Sequence, residues 1–167
     1  VVNSHLGKFA LVTVAKIANL AELKKECLDN KLNFTELSRG VTNQTELIAI
    51  LITQGKDFVD GIQNVYKKVK GSVSMLLLTE DGIIAARDFY GRTPIVIGKD
   101  NDGYVAAFES HSYINLEYET VRFIGPGEIV KITSDGMTQL LAPNDKMQIC
   151  SFLWIYYGFP ASDYDNI

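Results

Sequence analysis

The chain has 167 residues, 47% hydrophobic and 22% charged, with a formal net charge of -4, which is enough for one domain with a real core and short for two. That balance excludes a disordered chain, and the scattered Lys and Arg residues form no cationic stripe, so nucleic acid is not an expected partner. Two cysteines, Cys27 and Cys150, have neither the number nor the spacing of a disulfide framework or a zinc site, which fits a reducing, cytoplasmic setting.

The longest apolar run, "FLWIYYGF" at 152–159, falls far short of the roughly 20 residues that cross a bilayer, so no membrane partner is expected either. "VVNSHLGKFA" has no signal-peptide pattern. The first residue is not Met and the chain ends abruptly at "SDYDNI", so it reads as a piece of a longer one.

In chain order, "GKFALVTVA" (7–15) is rich in β-formers and reads as a buried strand that runs into a helix through "TVAK". Asn19 with Glu22 resembles a capping box, and Leu20, Leu23, Cys27 and Leu28 then share a helical face on which Cys27 serves as a small hydrophobe of the core. Asn43 with Glu46 repeats the start signal before "LIAILI", a heavily buried helix that Gly55 stops. In "DFVDGIQNVYKKVKG" (57–71), Phe58, Ile62, Val65 and Val69 recur at helical spacing. There Lys67, Lys68 and Lys70 complement the macrodipole on a solvated face.

From Ser72 the period changes. "VSMLLLT", "GIIAARD", "PIVIGK", "GYVAAFES" and "GEIVKIT" read as short strands, and Asp81-Gly82, Asp102-Gly103 and Asp135-Gly136 as hairpin turns of one antiparallel meander. Helices in one stretch and strands in another predict an α+β fold. The large apolar side chains of "ICSFLWIYYGFPAS" predict a segment packed on this domain or on a neighbour.

Little of this carries chemistry by itself. His5 and His111 are isolated imidazoles that read as solvent-facing or hydrogen-bonded, and Gly125-Pro126-Gly127 reads as a turn. "ARDFYGRTPIVIGK" is more informative, because Asp88 and Gly91 suit the first and fourth positions of a type I turn. The simplest role for Arg87 and Asp88 is an ion pair holding that turn, with direct catalysis as the alternative.

"GSVSMLLLTEDGIIAARDFYGRTPIVIGKDNDGYVAAFES", "IGPGEIVKI" and "CSFLWIYYGFPAS" together resemble the glutaminase domain of glutamine phosphoribosylpyrophosphate amidotransferases, over nearly the whole chain. Arg87, Asp88, Gly91, Arg92 and Pro94 look like the family's Arg-Asp-Pro-x-Gly-x-x-Pro-Leu, with Phe89 and Ile95 as departures. Glu109 and Ser110 match its Ser-Glu-Ser, with Phe108 at the first serine. Asparagine synthetase and glucosamine-phosphate synthase share parts of the pattern, and "FLWIYYGFPAS" favours the purine-pathway branch.

The resemblance implies an N-terminal nucleophile hydrolase-like αββα sandwich with antiparallel sheets, present here as a partial domain. It divides the chain into 1–149, a partial class II glutaminase domain, and 150–167, a segment leading into a phosphoribosyltransferase domain in cis. In such proteins an N-terminal cysteine attacks the glutamine amide, and the ammonia released displaces pyrophosphate from phosphoribosylpyrophosphate. By the same resemblance the nucleophile lies upstream of Val1, so no catalytic residue belongs to this chain. The fragment itself is expected to be inactive and free of cofactor, its parent amidophosphoribosyltransferase-like and a homo-oligomer.

The family's Ala-His-Asn-Gly-Asn, whose Asn and Gly form the oxyanion hole, falls on Val12, Thr13, Val14, Ala15 and Lys16. Its Ser-Asp-Thr-Glu, whose Asp holds the α-amino group of glutamine, falls on Asn43, Gln44, Thr45 and Glu46. Val14, Ala15 and Gln44 are thus substituted pocket positions, with Arg87, Asp88 and Gly91 in a structural turn nearby. Cys150 stands where some members place one ligand of an iron–sulfur cluster, and where cluster-free members also carry a cysteine. A cluster would need its other thiolates from outside the chain. Magnesium with phosphoribosylpyrophosphate would likewise belong to the full protein. A domain that has lost glutaminase activity and acts as a scaffold or sensor, in a protein using free ammonia or another substrate, is the alternative.

Overall fold

Alternating apolar residues at the N-terminus form a hairpin, β1 (Val2–Ser4) against β2 (Gly7–Ile17), with Val2 opposite Phe9. The computed structural model describes residues 1–35, 37, 38 and 41–166. β2 is longer than the sequence pattern predicts. It pairs antiparallel with β5 (Gly71–Thr79) from Phe9 opposite Thr79 to Ile17 opposite Gly71, so Thr13 to Lys16 lie inside a strand and not at a strand-to-helix join.

α1 (Leu20–Asp29) follows, and the capping box expected at Asn19 does not form. The Asn19 side chain donates to Lys68 O at 3.0 Å and accepts from Lys70 N at 2.9 Å, so a contact distant in sequence takes the groups a cap would use. Leu23 and Cys27 are buried as expected, whereas Leu28 is 48% exposed, one residue and about 100° beyond the edge of the buried stripe. Two further ties join α1 to the chain beyond it: Lys68 pairs with Glu26 and Lys70 with Glu22, so these lysines are not merely solvated.

β3 (Leu37–Ser38) and β4 (Val41–Thr42) pair antiparallel ahead of α2 (Gln44–Ile52). Here Asn43 does cap, its side chain accepting from Thr45 N and Glu46 N, and Leu47, Ile48, Ala49, Leu51 and Ile52 are all buried. α3 (Phe58–Lys68) starts at the capping side chain of Asp57 and crosses α2 closely at Gly61.

The strands after α3 are β5, β6 (Gly82–Ala86), β7 (Val96–Lys99), β8 (Tyr104–Ala107), β9 (Glu119–Phe123), β10 (Ile129–Thr133) and β11 (Gly136–Leu141), with α4 (His111–Leu116) between β8 and β9. They do not form the single meander expected. Six strands make one sheet, in the order β1-β2-β5-β6-β10-β11, and three make another, β8-β7-β9. The segment after β6 carries the chain out of the first sheet, which lets Ile95 and Ile97 pack on Ala85, Val130 and Ile132 of the first. α4 and β9 escape sequence reading because α4 is only six residues long without a side-chain cap and the start of β9 is exposed.

Four layers result: α1 to α3, the six-stranded sheet, the three-stranded sheet, and α4 with the C-terminal segment. One core lies under the helices, around Leu47, Ile48, Leu51, Ile62, Met75 and Leu77, and the second lies between the sheets. The Tyr113 ring of α4 packs against Gly98 and its hydroxyl donates to Val96 O at 2.7 Å.

The C-terminal segment, which includes a one-turn π-helix at Leu153–Tyr157, packs on this domain along one side only. The Phe159 ring stacks on His111 at 3.8 Å and Asp163 N donates to Ser110 Oγ at 2.8 Å, while Ile155 and Tyr156 stay exposed. His5 also has a partner, Gly55 O at 2.9 Å. No described helix is long and apolar enough to cross a membrane.

Candidate functional site

The turn after β6 is built around Asp88, which is 3% exposed. Its Oδ1 accepts from Val73 N and its Oδ2 from Tyr90 N and Arg92 N, each at 3.1 Å, while Gly91 N donates to Asp88 O at 2.7 Å to close the turn. Gly91 sits at φ +68°, a conformation that suits glycine. The ion pair expected between Arg87 and Asp88 is absent. Arg87 instead donates to both carboxylate oxygens of Asp165 and to the carbonyls of Ile124 and Gly91. Adjacent side chains on extended backbone point to opposite faces, so neighbours in sequence are poorly placed to pair. Tyr66 completes the region by donating to Arg87 O at 2.7 Å, and burial, aided by the Asp88 charge, pushes its phenol far above the usual range.

This turn orients the strand beside it. Because Val73 N points to Asp88, it points away from β2, and Ala15, opposite Val73, belongs to a non-hydrogen-bonded pair. The N–H of Ala15 is therefore directed away from β5. On that side β1 pairs only with Gly7, Lys8 and Phe9, so among the described residues the later half of β2 presents an open edge.

Two cavities flank that edge. The first, about 410 Å³, is lined by Thr13, Ala15, Val41, Thr42, Asn43, Gln44 and Thr45, at the N-terminus of α2. Thr13 Oγ1 and Thr45 Oγ1 are 2.8 Å apart, while Thr42 Oγ1 and Gln44 Oε1 are buried without a hydrogen-bond partner among the described residues. The second, about 500 Å³ and mostly apolar, includes Val14, Ala15, Lys16, Ser72, Arg92, Cys150 and Phe152. Arg92 is held at its rim by donation to Gly71 O and Gln148 Oε1, with its guanidinium 4.6 Å from the Tyr90 ring.

Of the positions singled out in the sequence, Ala15 and Gln44 thus share one cavity, and Val14 and Cys150 share the other. Ala15 lines both. Arg87, Asp88 and Gly91 form the support behind the strands. The hydroxyls of Thr13, Thr42 and Thr45 were not anticipated as part of the site; the alternation that puts Thr13 on the same face as Ala15 was the available signal.

The described residues do not by themselves make an iron–sulfur site, so a cluster at Cys150 would take its other ligands from outside them. Cys27 is buried in the helix-side core, Cys150 lies at the second cavity, and no group of three or more His, Cys, Asp or Glu residues comes together among the described residues.

A family model described as a glutamine amidotransferase domain matches residues 1–114. The chain is 32% identical over 164 residues to the amidophosphoribosyltransferase of Bacillus subtilis (strain 168), covering 96% of this chain and 33% of that protein. It is 30% identical over 169 residues to the amidophosphoribosyltransferase of Archaeoglobus fulgidus, covering 100% of this chain and 36% of that one. Among solved structures, the glutamine phosphoribosylpyrophosphate amidotransferase from B. subtilis, complexed with ADP and GMP, matches with a TM-score of 0.83 at 29% identity, over 99% of this chain and 36% of that one. The chain spans about a third of the length of these relatives.

Proposed function

Because the chain belongs to the glutamine amidotransferase domain family, we propose that it is a fragment of the glutaminase domain of an amidophosphoribosyltransferase-like protein, with a diverged glutamine pocket. In this reading the substrate lies across the open edge of β2. Its far end occupies the Gln44 cavity and its reacting amide lies on the Val14 side. A cysteine from outside these residues attacks the amide carbon, and the Ala15 N–H meets the oxyanion that develops. Collapse of the tetrahedral species expels ammonia and leaves a thioester, which water hydrolyses to restore the thiol. The ammonia passes in cis to a phosphoribosyltransferase domain and displaces pyrophosphate.

The observation that carries the reading is the place of Ala15, which lines both cavities with its N–H directed to the open edge. Val14 adds no side-chain donor, and losing one oxyanion donor costs about 2.7–4 kcal/mol of barrier. Glutamine hydrolysis by the full protein is therefore slow. Magnesium, any iron–sulfur cluster and homo-oligomer contacts belong in this proposal to the full protein, with a cytoplasmic setting.

The same substitutions favour a second reading, a glutaminase-like scaffold or sensor in a protein that uses free ammonia. The two are separated by treating the full-length protein with a glutamine-analogue electrophile and following ammonia release from glutamine. A covalent adduct on a cysteine, with slow release that Val14→Asn accelerates, is expected. No adduct, with product formed from ammonia alone, would sink the catalytic reading in favour of the scaffold.

A further inference from the structure

A third cavity, of about 420 Å³, lies between α3 and the turns that follow β6 and β9, and it shares no lining residue with the two that flank β2. Its volume is within the range of about 300–1,000 Å³ that small-molecule pockets occupy. α3 contributes Gln63, Tyr66 and Lys67, which share one helical face at i, i+3 and i+4. Phe89 enters from the turn after β6, and Leu141 from the end of β11.

Hydrogen bonds within the protein fix these walls. The Tyr66 hydroxyl donates to Arg87 O at 2.7 Å, which leaves its ring to the cavity. Asn144 Nδ2 donates to Phe89 O at 2.9 Å and to Pro126 O at 3.1 Å, and Gly127 N donates to Asp88 O at 2.9 Å. Gly127 has φ +69°, and a Cβ there would meet Asn144 Nδ2 at 2.7 Å, so glycine is what lets the Asn144 loop close against the cavity. A pocket held in this way needs little ordering when it is filled.

The lining also says what fills it. The Tyr66 and Phe89 rings stand 6.2 Å apart at 56°, so a flat ring can stack on one and meet the other by its edge. Lys67 brings an ammonium to the cavity, whereas its neighbours Lys68 and Lys70 pair with Glu26 and Glu22 of α1. A second ammonium, Lys146 Nζ, lies 5.9 Å from the Phe89 ring. Gln63 adds an amide N–H beside Lys67, so one carboxylate oxygen can accept from each.

We propose that this cavity binds a flat aromatic carboxylate, its ring against Tyr66 and Phe89 and its carboxylate on Lys67 and Gln63. The site is separate from the glutamine pocket, so the two stand or fall independently.

The test is calorimetric titration of the full-length protein with trans-cinnamate and with its uncharged counterpart trans-cinnamamide. Lys67 and Lys146 are exposed, so the double variant Lys67→Gln/Lys146→Gln keeps the fold, and Gln63→Trp fills the cavity from the helix. The expected result is cinnamate bound about tenfold tighter than cinnamamide by the wild type, a preference that the double variant loses, and loss of both compounds in Gln63→Trp. No cinnamate binding, equal binding of the two compounds by the wild type, or a preference that survives in the double variant would overturn the proposal. Undiminished binding by a folded Gln63→Trp would overturn it too, by placing cinnamate elsewhere.

Discussion

Arg87 and Asp165 stand 78 residues apart in sequence and meet through two hydrogen bonds, 2.6 Å to Oδ1 and 2.9 Å to Oδ2. Arg87 is 1% exposed, so its charge depends on this partner from the C-terminal segment. Asp165→Ala strands that guanidinium and is expected to destabilise the fold by about 3 kcal/mol. Trp154, the single tryptophan of the chain, lies 5.9 Å from the Tyr164 ring next to Asp165, so its fluorescence during urea unfolding reports the loss directly.

Asp88→Asn is nearly isosteric but replaces one acceptor oxygen by an NH₂ group facing backbone N–H donors. Since Oδ1 serves Val73 N and Oδ2 serves Tyr90 N and Arg92 N, either orientation opposes donor to donor. The expected cost is about 2 kcal/mol. Amide exchange should show faster loss of protection at Val73 than at Leu77, further along the same strand.

Gly61 presents a contest between two effects. Helix propensity alone favours alanine there by about 1 kcal/mol. A Cβ at this position, however, would overlap the Ile52 carbonyl of α2, with the carbonyl carbon 2.9 Å away. Backbone cannot swing aside as a side chain can, so Gly61→Ala is expected to lower stability by about 2 kcal/mol. A higher melting temperature in calorimetry would contradict this.

Glu128 sets an acid limit. Burial acts to raise its carboxyl, but the Arg122 guanidinium at 2.8 and 3.1 Å, Gly125 N–H and the Gln139 amide outweigh it and hold the group below the usual carboxylate range. A folded-state pKa below the unfolded value of about 4.3 means that the contribution is complete above that value and is lost as pH falls through the folded one. Glu128→Gln should lower neutral-pH stability by about 2 kcal/mol, and the difference from wild type should shrink on acidification. Urea midpoints across a pH series measure both.

Local chemistry was legible in the sequence and distant partnership was not. The Asp-Gly pairs at 81–82, 102–103 and 135–136 do join hairpins, because a tight turn is decided by its own residues. Asn43 and Asn19 carry the same start signal, yet only Asn43 caps, since Asn19 is captured by Lys68 and Lys70, 49 and 51 residues away. The division into two sheets depends on where β7 finds its partners, which periodicity does not encode. In the site, Val14, Ala15 and Gln44 could be marked by resemblance alone. That Ala15 lines two cavities, and where its N–H points, follows from the pairing of β2 with β5, and no local pattern announces it.

The open edge of β2 also divides what substitution can erase from what it cannot. The N–H at position 15 belongs to the main chain, so it survives replacement by any residue except proline. Whatever the side chains at positions 14 and 44 contribute, a single substitution removes it. The strand keeps offering its own donor whichever side chains surround it.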